Sequence, residues 1–324
     1  MNEYQADVIY TQNDLERVNF VDRILNKLNI ELDKSNINLR LTQSLQKKPY
    51  DAVLIVKGNR IYPWLLKKIK ISYPNILLVS FSGDNMSKWH NKSLLYHYGV
   101  SIYDLVLSIN IPSYRKMERF CKAPVFYFDK AADEQIHRPL TPAIDEPKYD
   151  VLFIGSYEIE RYRTLLFLAD NNIKVHIFGS MWNKCKKKEI SPNLVFHNYE
   201  LLGEEYVKAL SNAKIILGFL RKINEDTQTS RTFEIPACGR FMLIERTAEH
   251  TSLFSEGEEA EFFSSDKELL NKIKFYLEHD SKRELVARNG RKRILRSRYF
   301  FTDLVHKMAS IMNQFSGKEQ DFDK

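Results

Sequence analysis

The amino-acid sequence predicts an α/β protein of two Rossmann-like, doubly wound domains that face each other across a cleft. Short apolar, β-rich runs alternate with stretches of helical periodicity almost throughout the chain, which is typical of parallel sheets covered by helices on both faces. The alternation breaks once, at a polar segment with three prolines, and then restarts. At 324 residues the chain is long enough for two hydrophobic cores.

The first half contains five apolar runs that are predicted to be buried strands. They are ADVIY (6–10), DAVLIV (51–56), NILLVSF (75–81), YDLVLSI (103–109) and PVFYF (124–128). Between the first two lies LERVNFVDRILNKL (15–28), whose apolar residues have helical spacing. Residues 1–140 are therefore predicted to form the first domain. The polar break at 129–150 contains Pro139, Pro142 and Pro147, and we place an interdomain linker at 141–149.

The second half repeats the same alternation. Its predicted strands are YDVLFIG (149–155), IKVHIFG (173–179), NLVFHN (193–198), KIILGFL (214–220), RFMLIE (240–245) and AEFFS (260–264). Residues 160–171, 204–213 and 266–279 have helical periodicity and separate several of these strands. We predict a second domain at 150–316, followed by a polar, disordered tail at 317–324.

Composition and charge narrow the class of protein. No apolar run reaches the length of a membrane span, and the N-terminal residues lack the apolar core of a secretory signal. The three cysteines are far apart in the sequence, which fits a reducing compartment, so we expect a cytoplasmic protein. The net charge is +7, with bases clustered at 67–70, 184–189 and 288–298. These clusters suit solvated helix faces, and they leave open a polyanionic partner such as an anionic membrane, a phosphorylated ligand or nucleic acid.

Ligands of doubly wound sheets bind at the carboxyl ends of the strands, so the loops there are the candidate sites. In FIGSYEIER (153–161) a strand ends at Gly155 and Ser156, and a helix begins within a few residues. A glycine at this point lets a phosphate approach the backbone, and Arg161 or Arg163 is placed to pair with the same anion. A plain strand-to-helix turn explains the glycine equally well.

A second candidate follows the strand at 214–220, in GFLRKINEDTQTSRTFE (218–234). Arg221 and Lys222 place two cations at the end of that strand. The polar loop after them carries Asn224, Asp226, Gln228 and Thr229.

A helix is predicted to start at Ser230, whose hydroxyl suits an N-cap, which would leave the amides of Arg231 and Thr232 for an anion. Glu234 lies one turn further on, where a carboxylate can bind two vicinal hydroxyls such as those of a ribose. Together, these side chains and amides suit a sugar nucleotide. The alternative is a purely structural role, as a capped helix with a salt bridge in its first turn.

The second half resembles the C-terminal domain of GT-B glycosyltransferases, most closely the CgeB-like, spore-maturation-like branch. The resemblance covers residues 149–296. It is carried by YDVLFIGS, KIILGFLR, TSRTFEIPACGRFMLIERTAEHTSLFSEGEEAEFF and ELLNKIKFYLEHDSKRELVARNGRKRIL. It is thinner in the first half, where VLIVKGN and SFSGDN look similar to loops of that branch.

The resemblance implies roles for the second candidate site. Asp226 and Glu234 have the spacing of two acids found in many retaining members of the fold, with Asp in place of the usual first Glu. By that resemblance, Glu234 binds the donor ribose and Asp226 faces the transferred sugar. Arg221, Arg231 and the amides of 230–232 then neutralise the diphosphate. The fold family works without a metal, and the one Asp-x-Asp motif, at 321–323, lies in the predicted tail.

The resemblance also implies that the first domain handles the acceptor. The candidates there are Lys57, Asp84 and Asn85, with His90 and His97 close behind in sequence, and an ordinary packing role is open for each.

At the end of the strand at 240–245, Glu245 and Arg246 suit either the donor site or an internal salt bridge. His250 and the acids Glu256, Glu258 and Glu259 lack metal-ligand spacing, so we interpret them as loop and helix-surface residues.

We therefore expect a metal-independent, retaining glycosyltransferase of cell-surface polysaccharide biosynthesis, with no cofactor beyond a nucleotide-sugar donor. Its acceptor is expected to be a glycan or a lipid-linked molecule, which leaves room for peripheral contact with the inner face of an anionic membrane. Two alternatives stay open: a non-catalytic or epimerase-like protein that binds a sugar nucleotide, and a nucleic-acid-binding protein that uses the basic C-terminal helices.

Overall fold

The computed structural model describes residues 5–10, 25, 29–140, 147–185 and 191–316. The chain divides into two compact units, Met1–Phe128 with His306–Lys324, and Asp129–Val305. Each unit contains one parallel sheet, which confirms the α/β prediction. The predicted domain boundaries stay a prediction. The described residues leave out most of the helix predicted at 15–28, the centre of the linker and the tail at 317–324.

The first unit contains a four-stranded sheet in the order β1-β2-β3-β4, with every neighbouring pair parallel. The strands are β1 (Ala52–Val56), β2 (Leu77–Ser82), β3 (Leu105–Ser108) and β4 (Val125–Tyr127). The connecting helices of this unit are α1 (Ile37–Lys47), α2 (Pro63–Ser72), α3 (Leu94–Gly99) and α4 (Ile111–Phe120). Leu65, Leu66 and Ile69 of α2 pack with Leu78 and Val106 of the sheet to form the core.

Local sequence explains where these helices begin. Pro63 is the first residue of α2, where a missing N–H costs nothing. The Ser93 hydroxyl accepts from the amide of Tyr96, and the Asn110 side chain accepts from the amide of Ser113, so α3 and α4 have side-chain caps.

The strand predicted at 6–10 is wrong. Residues 5–10 are described without strand structure, and Val8 and Tyr10 are 62% and 73% exposed. Asp7 explains the difference, because its carboxylate accepts from the Tyr50 hydroxyl at 2.6 Å and pairs with Lys48 at 2.8 Å. These side-chain contacts hold the segment beside the residues that lead into β1. Val8 and Tyr10 stay in solvent, and Ile9 packs partly against the core of the unit.

The second unit contains a six-stranded parallel sheet in the order β10-β9-β8-β5-β6-β7. Its strands are β5 (Tyr149–Ile154), β6 (Val175–Phe178), β7 (Leu194–Phe196), β8 (Ala213–Gly218), β9 (Met242–Glu245) and β10 (Glu261–Phe263). β5 is central and pairs with both β6 and β8, so the strand order reverses between β5 and β8. A reversal of this kind opens a crevice at the carboxyl ends of the two strands.

Helices cover both faces of this sheet. They are α5 (Ile159–Asp170), α6 (Gly203–Ser211), α7 (Arg231–Ala237), α8 (Ala248–Leu253), α9 (Asp266–Glu278) and α10 (Asp280–Ser297). One face buries a cluster with α5 and α9, and the other buries a cluster with α6, α7 and α8. A last helix, α11 (Phe301–Phe315), contains the division between the units at 305 and 306. Within the described residues, no helix has both the length and the apolar character that crossing a bilayer requires.

Candidate functional site

The two segments singled out in the second half come together at the reversal of strand order. One follows β5 and the other follows β8, which are neighbours in the sheet. The Arg231 Nε donates to the carbonyl of Ile154 at 3.5 Å, and the Arg221 Nε lies 3.9 Å from Glu158 Oε1. This crevice is where doubly wound sheets bind their ligands, so the two predicted half-sites form one candidate site.

Close backbone packing explains the glycine after β5. The Gly155 amide donates to the Phe178 carbonyl at 2.9 Å, and its carbonyl accepts from Trp182 Nε1 at 2.8 Å. A Cβ at Gly155 would lie 2.7 Å from the Phe153 ring. Gly155 is thus required by packing, and both of its backbone polar groups are used within the unit.

Arg161, on the first turn of α5, is the buried cation of the site. It is 7% exposed, its Nη1 donates to the Ser156 carbonyl at 3.0 Å, and its Nη2 lies 3.3 Å from Glu158. Burial lowers its pKa, and Glu158 counteracts this. The Nε of Arg161 is buried without a hydrogen-bond partner in the described part of the chain. A buried donor of this kind favours an anionic oxygen nearby.

A small pocket of about 40 Å³ lies beside Arg161. It is lined by Glu158, Glu160, Arg161, Thr164, Phe219, Leu220, Lys222 and Glu245. Lys222 Nζ lies 2.7 Å from Glu245 Oε1, and the Leu220 amide donates to Glu245 Oε2 at 2.6 Å. Of the two roles open for Glu245, the structure therefore contains the internal salt bridge, at the wall of this pocket.

The loop after β8 buries the first acid of the predicted pair. Asp226 is 9% exposed, its amide donates to the Arg221 carbonyl at 3.2 Å, and its Oδ1 accepts from Asn224 at 2.6 Å. The Arg221 side chain is 55% exposed at the same edge of the sheet. Asp226 and Arg221 therefore share one turn of chain, with the carboxylate held inward and the guanidinium toward solvent.

The start of α7 differs from the prediction. Ser230 is the N-cap residue, but its backbone is helical and its hydroxyl makes no capping bond, so that prediction is wrong. A capping side chain needs an extended backbone, which Ser230 lacks. Instead, the Oγ1 of Thr232, inside the helix, accepts from the amide of Thr229, which precedes the helix, at 3.1 Å. The Thr232 amide is not free either, because it donates to the Thr229 carbonyl at 3.1 Å. The Thr229 hydroxyl is buried without a partner among the described residues.

Glu234 lies in a buried cluster with two other side chains. It is 8% exposed, and its Oε2 accepts from the Tyr206 hydroxyl at 2.9 Å and from Arg231 Nη1. The Arg231 guanidinium lies over the Tyr206 ring, 4.3 Å from its centroid. Burial raises the pKa of Tyr206 well above its ordinary value, so its hydroxyl is a permanent donor.

Tyr206 and His137 were not found from the sequence. Tyr206 sits in the apolar stripe of α6, and the one clue was a tyrosine at a buried position, which needs a hydrogen-bond partner. His137 meets the Tyr206 ring edge-on at 5.8 Å, and burial lowers its pKa. Gln228 joins this loop to the start of the unit, because its Nε2 donates to Asp129 at 3.0 Å and its Oε1 accepts from the Lys130 amide at 3.1 Å. Contacts between residues this far apart in sequence leave no local pattern.

The residues that follow β9 contact the start of α7, where the candidate site lies. His250 is completely buried, which corrects its interpretation as a surface residue. Its Nδ1 lies 2.7 Å from the Glu245 carbonyl, and its Nε2 lies 3.0 Å from Thr232 Oγ1. Burial lowers the pKa of this imidazole. Arg246 pairs with Glu256 and Glu268, so its charge is balanced within the unit. Within the described ranges, no three His, Cys, Asp or Glu side chains form a metal-binding group.

In the first unit, Lys57 and Asp84 meet at the carboxyl ends of β1 and β2. The Lys57 Nζ donates to Asp84 Oδ2 at 2.9 Å, and both side chains are partly exposed. Lys57 has a φ of 65°, which is uncommon for a residue other than glycine. Asn85 is fully buried and accepts from the Ser87 amide at 3.2 Å, so it has a structural role. His90 and His97 are exposed.

Most arginines of the basic cluster at 288–298 have partners within the protein. Arg291 donates to the carbonyl of Ala237 at the end of α7, and Arg293 donates to the carbonyl of Leu253 at the end of α8. Arg298 pairs with Asp303 at 2.7 Å. Cations at helix C-termini neutralise the exposed carbonyls there. Much of the cluster is therefore explained by packing in the second unit.

Comparison with known proteins finds a matching family model for part of the chain and a similar fold for most of it. Residues 161–310 match the family described as "Glycosyl transferase-like". No curated protein matches the chain. The match covers just under half of the chain and agrees with the predicted enzyme class, a glycosyltransferase. The CgeB-like branch stays a prediction.

Several solved structures have a similar fold, and their alignments cover most of this chain. A sucrose-phosphate synthase from Thermosynechococcus elongatus aligns with a TM-score of 0.63 at 13% identity, over 88% of this chain and 78% of its own. HepE from Anabaena in complex with UDP aligns with a TM-score of 0.62 at 14% identity, over 86% and 82%. A point mutant of TarM from S. aureus, in complex with fondaparinux, α-GlcNAc-glycerol and UDP, aligns with a TM-score of 0.60 at 13% identity, over 84% of this chain and 58% of its own. The GT-B fold prediction is thereby confirmed.

Proposed function

We propose that this protein transfers a sugar from a nucleotide-activated donor to a glycan or lipid-linked acceptor, and that the donor binds at the carboxyl ends of β5 and β8. The observation that carries the proposal is the burial of two carboxylates, Asp226 and Glu234, on the segment after β8, at the reversal of strand order where the cations Arg161 and Arg221 also lie, both of them near Glu158. The family match over the same residues supports it, as do the similar folds solved with UDP and UDP-glucose.

The charges suit the chemistry of glycosyl transfer. Breaking the bond between a sugar and a nucleoside diphosphate develops negative charge on the phosphate and positive charge on the sugar ring. Arg161 and Arg221 are placed to stabilise the first, and the Asp226 carboxylate is placed to stabilise the second. In this proposal the side chains supply the positive charge for the leaving group, so the reaction needs no metal. We assign a retaining outcome because Asp226 and Glu234 resemble, in their spacing, the acid pair of many retaining members of the fold.

The acceptor would be activated in the first unit. Lys57 and Asp84 form an ion pair at the carboxyl edge of that sheet, and a carboxylate there can accept the proton of an acceptor hydroxyl while the ammonium orients it. Both side chains are partly exposed, so an acceptor can reach them.

The outward face of α10 suits contact with an anionic membrane. Arg288 and Lys292 are exposed there, and Leu285 and Leu295 of the same face are 50% and 49% exposed. Bases interleaved with leucines bind anionic headgroups and the acyl boundary together. Co-sedimentation with vesicles of phosphatidylglycerol, but not phosphatidylcholine, is the expected result, and it should weaken in Arg288→Glu/Lys292→Glu. Equal recovery of both proteins with either vesicle would contradict the contact.

The donor site is tested by calorimetric titration with UDP, GDP, ADP, CMP and dTDP, without metal and then with magnesium. We expect metal-independent binding of one nucleotide, and a loss of at least tenfold in Glu234→Ala, because a charged hydrogen bond contributes about 1.5–3 kcal/mol. Glu205→Ala, at an exposed position of α6, is the matched control. If no nucleotide binds the wild-type protein, the donor site is wrong.

Turnover separates a transferase from a binding protein. We expect slow hydrolysis of the cognate nucleotide sugar with release of nucleoside diphosphate. Binding without any release of diphosphate would favour a non-catalytic protein, and interconversion of the donor sugar would favour an epimerase.

A further inference from the structure

We propose that Tyr206 and Arg231 are positioning residues that fix the orientation of Glu234, so that Oε2 is occupied within the protein and Oε1 alone faces a ribose hydroxyl. The inference rests on the proposed donor site and assigns a selectivity to it. It gives Arg231 a role different from neutralising the diphosphate.

The contacts of Glu234 carry the proposal. Its Oε2 accepts from two donors, the Tyr206 hydroxyl at 2.9 Å and Arg231 Nη1, and no described residue donates to Oε1. The two donors come from different elements, α6 and α7, so the carboxylate cannot rotate without breaking bonds to both. A carboxylate held in this way presents one oxygen in a fixed direction, which is what discrimination between a hydroxyl and a hydrogen requires.

Arg231 is itself held at three points. Its Nη1 pairs with Glu234, its Nε donates to the Ile154 carbonyl at 3.5 Å, and its plane lies over the Tyr206 ring. Burial alone would lower its pKa, yet the neighbouring Tyr206 and Glu234 raise it above the ordinary value. Because Arg231 pairs with Glu234, its positive charge is already balanced within the protein. Arg161, whose Nε has no hydrogen-bond partner among the described residues, and Arg221, whose side chain is 55% exposed, are then the cations for the diphosphate, although both lie near Glu158.

Ribose selectivity is the direct measurement. UDP and 2′-deoxy-UDP, or the matching pair for whichever base binds, are titrated into wild type and Tyr206→Phe. We expect wild type to prefer the ribonucleotide, and the variant to lose about five- to tenfold of that preference, because one charged hydrogen bond is removed. Affinity for the deoxynucleotide should change less, since it keeps its 3′-hydroxyl but lacks the 2′-hydroxyl that donates to Oε1 in this proposal.

A matched control separates positioning from general destabilisation. Tyr276 is also buried, and its hydroxyl donates to Glu261 Oε1 at 2.6 Å, in a cluster of α9 and β10. Tyr276→Phe removes the same type of bond. It should lower the melting temperature by a similar amount and leave the ribose preference at the wild-type value.

Arg231→Lys distinguishes the two roles of the arginine. If Arg231 positions Glu234, the ratio of UDP to UMP affinity stays as in wild type, while the ribose preference falls. If it binds the diphosphate, the UDP to UMP ratio falls instead, and the proposal is overturned. An unchanged ribose preference in Tyr206→Phe also overturns it. Failure of wild type to bind any nucleotide would instead refute the proposed function.

Discussion

At the scale of single residues, Asp226 carries the sharpest catalytic prediction. Its carboxylate is buried and held by Asn224 at 2.6 Å, on the loop that also carries Arg221. Asp226→Asn keeps the size of the side chain and removes its negative charge. We expect nucleotide affinity within about twofold of wild type and donor turnover reduced by about 100-fold or more, because the charge acts on the sugar in the transition state. Coupled detection of released diphosphate measures turnover.

The control for this prediction is Asp150→Asn, at a half-exposed aspartate that pairs with Lys214 at 2.7 Å. Turnover there should match wild type. An Asp226→Asn protein that turns over normally would exclude Asp226 from the chemistry.

Residue roles show where sequence reasoning ends. The spacing of Asp226 and Glu234 is visible in the sequence, and so is their place after a strand. The pairing of Glu234 with Tyr206 is not, because the two residues are on different helices and 28 positions apart. Whether Ser230 caps a helix depends on its backbone angles, which its residue type does not determine.

At the scale of elements, the turn after β6 is a test of backbone packing. Gly179 has a φ of +140°, and a Cβ there would lie 2.1 Å from the carbonyl oxygen of Gly155. Gly179→Ala must displace the turn that leads into the candidate site. We expect a loss of about 3 kcal/mol or more in the free energy of unfolding, since neither backbone can yield cheaply. Urea unfolding followed by circular dichroism measures it.

Gly203 provides the matched comparison. It also has a positive φ, +53°, but nothing lies within 4 Å of a Cβ placed there. Gly203→Ala should cost only about 1 kcal/mol, the penalty for an alanine in a left-handed conformation. Equal losses in the two variants would mean that the contact with Gly155 does not matter.

The elements themselves are largely predictable. Ten of the eleven predicted apolar runs contain a strand, because a buried parallel strand needs a short, continuous apolar sequence. The run at 6–10 has that composition without being a strand, since Asp7 finds side-chain partners in Lys48 and Tyr50. Composition therefore identifies segments that are able to form strands, and tertiary contacts decide which of them do.

At the scale of the whole molecule, one buried and three partly buried histidines predict a dependence of stability on pH. Burial lowers the pKa of His250, His137, His176 and His197 below the ordinary value of 6.5. The folded protein therefore resists protons that the unfolded chain binds below that pH. The contribution of these histidines to the free energy of unfolding should be fully present above pH 6.5. It should decrease as the pH falls below that value. Carboxylates act in a separate range, since the bonds from Arg246 lower the pKa of Glu256 to about 2.

His250 should dominate this loss because it is completely buried between Glu245 and Thr232. Its contribution between pH 6.5 and pH 5 is at most about 2 kcal/mol, the linkage value for one full proton over that interval. Urea unfolding of wild type and His250→Gln at pH 7, 6 and 5 measures it, with His90→Gln as the exposed control. We expect the slope with pH to flatten in His250→Gln and to stay at the wild-type value in His90→Gln. A slope that is the same in all three proteins would show that burial of His250 does not govern the acid sensitivity of the fold.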